Sequence, residues 1–81
     1  MPNQWTQEGG KLIKRFQFKD FKEAMAFINS VGEMAESMNH HPKIINVYNT
    51  VVLELWTHDQ NAISALDHQL AEAIDRQIEG L

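Results

Sequence analysis

The sequence predicts an α+β fold: a two-layer sandwich, ordered ββαββα, with a four-stranded antiparallel sheet and both helices on one face. Three observations carry this reading. Lys11–Phe18 and Thr50–Thr57 alternate or run β-branched, as half-buried strands do. Residues 21–38 and 66–78 repeat their apolar positions at three- and four-residue steps, as amphipathic helices do. Glycine and proline are sparse and fall between these segments, where they act as punctuation.

Taken in order, Asn3 to Thr6 reads as a short first strand. Gln7-Glu8-Gly9-Gly10 reads as a turn, because paired glycines adopt positive φ at little cost. In the second strand Leu12, Phe16 and Phe18 share a face with Lys14, while Lys11, Arg15 and Gln17 face away with Ile13. Asp20 followed by Glu23 has the spacing of a capping box and opens a helix whose stripe is Phe21, Ala24, Met25, Ile28, Val31, Ala35 and Met38. That helix ends near Asn39, since Pro42 disfavours helix at the residue before it. Ile44–Tyr48 and Thr50–Thr57 form a tight hairpin around Asn49. Ser64 with Asp67 signals a second N-cap. Leu66, Leu70, Ala73, Ile74 and Ile78 form the last stripe, and Gly80 closes it.

Length and composition restrict the function classes. A chain of 81 residues is one domain, 1–81, and buries only about 60–65% of its unfolded surface, so oligomerisation would add needed stability. The net charge is −4, and the basic residues Lys11, Lys14, Arg15, Lys19, Lys22, Lys43 and Arg76 form no extended basic footprint. Direct nucleic-acid binding is not expected. No run approaches the ~18 apolar residues of a membrane span, and the first residues do not read as a secretion signal. The absence of cysteine excludes disulfides, a thiol nucleophile and thiolate metal sites, which fits a cytoplasmic protein.

Three of the four histidines gather around the second hairpin: His40 and His41 lead into it and His58 leaves it. In an antiparallel pair the start of one strand lies beside the end of the next, so these side chains become neighbours. Glu36 lies one helical turn before His40. His68, isolated in the last helix, reads as an ordinary surface histidine. From the residues alone two chemistries stand open. Imidazoles titrate near neutrality and serve as general acid and base. Three imidazoles with a carboxylate also make a zinc shell, although the spacing matches no H-E-x-x-H type motif, and adjacent histidines on extended backbone diverge.

At the same residues the sequence resembles the pterin-4a-carbinolamine dehydratases. Glu36, His40-His41-Pro42, Tyr48, His58 and Asp67 stand at the spacing of that family's signature. Phe16-Gln17-Phe18-Lys19-Asp20-Phe21, Asn46-Val47-Tyr48-Asn49, Thr57-His58 and Leu70-Ala71 are similar to its flanking segments, and Trp5 to a family tryptophan. The resemblance spans residues 5–78. It implies dehydration of 4a-hydroxytetrahydrobiopterin, a pterin-4a-carbinolamine, to quinonoid dihydrobiopterin, with no metal and no redox cofactor. It implies catalytic roles for His40, His41 and His58. Glu36, Asn39, Pro42, Trp56, Thr57 and Asp59 would bind or frame the substrate, Pro42 by fixing the loop. Tyr48 and Asp67 are expected to be structural, as a cross-strand packing residue and a carboxylate at a helix start. A homodimer or homotetramer is implied. Two other roles follow by family analogy: binding the helix of a transcription factor, and handling molybdopterin. A helix-binding surface does not need the histidine triplet.

Overall fold

The computed structural model describes residues 4–79. The elements run β1 (Thr6–Glu8), β2 (Lys11–Gln17), α1 (Phe21–Met38), β3 (Lys43–Val47), β4 (Thr50–Leu55) and α2 (Ala65–Glu79). All strand pairs are antiparallel and the sheet order is β1-β2-β4-β3. The expected ββαββα sandwich is therefore present, with two local corrections. The first strand lies later than Asn3–Thr6: it starts at Thr6 and continues to Glu8, and Asn3 lies outside the described residues. The turn contracts to Gly9-Gly10, whose φ values of 57° and 76° are those a two-residue hairpin requires.

Parity along the strands decides the layers. Leu12 and Phe16 of β2 and Val51, Leu53 and Leu55 of β4 are all buried on the face that meets the helices. Ala24, Phe27, Val31 and Ala35 of α1 and Leu70, Ala71 and Ile74 of α2 close the core. The stripe of α1 is rotated from the one read from sequence. Phe27 is in it, stacked on Phe16 and Phe18 at centroid distances of 4.8 and 4.9 Å. Phe21 is 49% exposed. Aromatic pairing drew the helix round, which spacing alone does not reveal.

Lys14 also points into the helix-facing side. Its ammonium reaches Asp75 of α2 at 2.8 Å, and the Trp5 indole N–H donates to the same carboxylate at 3.1 Å. This cluster fastens α2 across β2 without an unpaired charge.

The ends of α1 are set by its sequence. Asp20 Oδ1 accepts the Glu23 amide at 2.9 Å, and Glu23 Oε1 reaches back to the Lys19 amide at 2.9 Å. At the other end Asn39 turns left-handed (φ 52°, ψ 42°), and the amides of Asn39 and His40 bond back to Glu36 O and Ala35 O. That reversal aims His40 back towards α2. Tyr48, expected to pack across strands, instead occupies the β3–β4 turn with φ 52° and is 61% exposed. The strands are joined by only two residues, so Tyr48 has no cross-strand partner.

Leu53 lies on an interior strand with no exposed surface. Leu53→Ala should lower unfolding free energy by about 3 kcal/mol, read from urea denaturation.

Candidate functional site

Strand register brings the histidines together. Lys43 pairs with Glu54, so the segment before β3 lies beside the segment after β4. Thr57 and Ala62 form an isolated bridge, with the Thr57 amide donating to Ala62 O at 2.8 Å. The bridge pinches residues 58–61 into a tight loop at the same end of the sheet. Between this loop, the end of α1 and the start of α2 opens a cleft of about 230 Å³. Asn39, His40, His41, Thr57, His58, Asp59 and Leu66 line it, and only Leu66 is apolar.

The three histidines are held differently. His40 is buried, and its Nε2 lies 2.5 Å from Oδ1 of Asp67. His41 is exposed, and its Nε2 lies 2.9 Å from Glu36 Oε1. His58 is exposed, with its ring 4.6 Å from the indole of Trp56. The zinc reading finds no donor set: His40 and His41 turn to different carboxylates, and no three metal-binding side chains converge among the described residues.

Asp67 organises this end of the molecule. It has no exposed surface, and it accepts from His40, from the Thr57 hydroxyl at 2.9 Å and from the Ser64 amide at 2.8 Å. Burial raises the pKa of its carboxyl. The hydrogen bonds from His40, the Ser64 amide and Thr57, together with the charge of His40, outweigh burial and hold the carboxyl below its ordinary value. Asp67 is therefore ionised at neutral pH. A carboxylate only accepts, so the proton of a neutral His40 sits on Nε2 and the lone pair on Nδ1. Among the described residues nothing else bonds the His40 ring, and His40 lines the cleft, so Nδ1 is the atom offered to it. The same logic orders the hydroxyls. Thr57 donates to Asp67, so it accepts from Ser64 Oγ at 2.5 Å.

Of the residues expected to act on substrate, Asn39, His40, His41, Thr57, His58 and Asp59 meet at the cleft. Glu36, Pro42 and Trp56 are not in its lining: Glu36 holds His41, and Trp56 stands against His58. Asp67 was expected to be a helix-start carboxylate. It does sit in the first turn of α2, but sequence reasoning missed its bond to His40. The available signal was its spacing: Asp67 stands three residues before Leu70 and seven before Ile74, on the face those residues bury, whereas Leu66, read as part of that stripe, is 41% exposed.

A small α+β sandwich with a histidine-lined cleft at one sheet end defines the class, and comparison with known proteins supplies the family. The sequence profile described as Pterin 4 alpha carbinolamine dehydratase matches residues 1–77, and the chain belongs to that family. A Synechococcus sp. (strain WH7803) protein named "Putative pterin-4-alpha-carbinolamine dehydratase" is 54% identical over 71 residues, covering 88% of this chain and 76% of the relative. A crystal structure titled transcriptional coactivator/pterin dehydratase, from Brucella melitensis, superposes with a TM-score of 0.83 at 32% identity, covering 91% of this chain and 79% of the other. A pterin dehydratase-like protein described as a RuBisCO assembly factor of the alpha-carboxysome shares the fold, with a TM-score of 0.74 at 19% identity over 94% of this chain and 88% of the other.

Asp67→Ala leaves three donors without their acceptor and should cost about 3 kcal/mol in urea denaturation. The pH dependence has a defined sign. The folded carboxyl takes its proton at lower pH than the unfolded one. Its contribution is complete above the ordinary carboxylate range near ~4 and is lost as pH falls through the lowered folded value. Stability of the native chain should fall across that acid window, and Asp67→Asn should flatten the fall.

Proposed function

We propose that this chain dehydrates 4a-hydroxytetrahydrobiopterin to quinonoid dihydrobiopterin and water by histidine acid–base catalysis, recycling the pterin cofactor of aromatic amino-acid hydroxylases. The observation that carries the reading is the buried Asp67–His40 pair, which leaves Nδ1 of His40 available at a polar cleft. Family membership supplies the substrate class.

The reaction moves two protons. A base takes the N5 proton, the C4a–N5 double bond forms, and the C4a hydroxyl leaves as water on receiving a proton from an acid. In this scheme His40 is the base, because Asp67 stabilises the imidazolium that forms. His58, which also lines the cleft, is the acid. His41, oriented by Glu36, positions the substrate, and Asn39, Thr57 and Asp59 supply polar groups around the ring. Neither proton transfer requires a metal or redox cofactor.

We place this activity in the cytoplasm and in a homodimer or homotetramer. No described helix is long and apolar enough to cross a membrane. The edge strand β3 leaves Ile44, Ile45 and Val47 exposed, apolar surface that association would cover. Light scattering should therefore report more than one chain at micromolar concentration; a monomer alone would contradict the assembly. The two structural neighbours are described as a transcriptional coactivator/pterin dehydratase and a RuBisCO assembly factor. A purely binding role would use the Asp67–His40 pair only as a structural tie and would not call on the three cleft histidines.

The test is the decay of carbinolamine generated in situ by a hydroxylase and followed by ultraviolet absorbance. The protein should accelerate it, and His40→Ala and His58→Ala should each lose about 10²-fold or more. A loss under about threefold in a folded variant would remove that histidine from the mechanism.

A further inference from the structure

The cleft histidines differ in what fixes their rings. His40 and His41 each lean on a carboxylate. His58 lies in an exposed loop, and among the described residues its ring has no hydrogen-bond partner. The Thr57–Ala62 bridge fixes its backbone but leaves the side-chain torsions unset. Among the described residues, the aromatic neighbour of the imidazole is the indole of Trp56, at 4.6 Å between centroids and 40° between planes.

Trp56 is itself fixed. It follows Val52 and Glu54 in the alternation of β4 and so stands on the sheet face away from the helices. The Lys11 ammonium lies 4.6 Å from its ring centroid, a cation–π distance. Glu54 holds that ammonium at 3.6 Å. A connected series thus runs from Glu54 through Lys11 and Trp56 to His58, from the open sheet face to the cleft. The indole is absent from the cleft lining.

We propose that Trp56 is a positioning residue for His58: its indole face sets the imidazole in the orientation needed for proton donation, and it does not contact the substrate. This rests on the dehydratase reading above. It reassigns Trp56, which family resemblance placed among the substrate-binding residues. An exposed histidine free to rotate spends only part of its time aligned with the leaving hydroxyl. An adjacent rigid ring removes those misaligned rotamers before substrate arrives.

The test combines kinetics with a spectroscopic signature. Trp56→Leu should lower kcat about tenfold while KM changes by less than about twofold. Trp56→Phe, which keeps an aromatic face, should recover most of the rate. In the His58→Ala background, Trp56→Leu should cost nothing further, because a residue that acts only through His58 has nothing left to position. An additive loss there, or a raised KM with kcat unchanged, would overturn the proposal. Independently of activity, the His58 Cε1–H proton resonance, assigned by its loss in His58→Ala, should carry a ring-current displacement that persists in Trp56→Phe and disappears in Trp56→Leu. A resonance unmoved by Trp56→Leu overturns the proposal whatever the kinetics. A displaced resonance in a protein that does not accelerate carbinolamine decay would instead defeat the dehydratase reading and leave the contact standing.

Discussion

The buried contact between His40 and Asp67 is the constraint on which the rest of this end of the molecule depends. It joins two segments far apart in sequence, the reversal after α1 and the first turn of α2. A carboxylate with no exposed surface is tolerated only when donors surround it, and here three do. Two of the donors, Ser64 and Thr57, sit at the base of the loop that carries His58. The same carboxylate therefore orients one cleft histidine and steadies the support of another.

The three histidines divide along a gradient of burial. His40 is enclosed and its tautomer is dictated by an ionised partner. His41 and His58 stand towards solvent, one beside a carboxylate and the other beside an aromatic ring. Proton removal benefits from an enclosed base with a fixed lone pair, and proton delivery from an acid that bulk water can recharge. Equivalent environments would have given three similar imidazoles with no assignment of roles.

Much of this was legible in the sequence, because it follows from short-range rules. Alternation marked β2 and β4, the Asp20–Glu23 spacing marked the start of α1, and hairpin geometry alone brought residues 40, 41 and 58 to one end of the sheet. What escaped depends on contacts between elements. The rotation of α1 follows from Phe27 meeting Phe16 and Phe18. The exposure of Tyr48 follows from a turn of two residues. Asp67 obeys the local rule for a helix start, and that rule concealed its partner across the core. Family resemblance placed Trp56 among the substrate-binding residues, and only the folded chain brings its ring within 4.6 Å of that of His58.

The central claim is that Asp67, by fixing the proton of His40 on Nε2, makes His40 a base. The most direct measurement is carbinolamine decay with Asp67→Asn, which keeps the shape of the side chain but lets an amide N–H face the imidazole and favour the wrong tautomer. The account predicts a loss of about 10²-fold or more in kcat from a protein that remains folded by circular dichroism. A folded Asp67→Asn protein within about threefold of the native rate would contradict it, and Asp67 would then be structural alone.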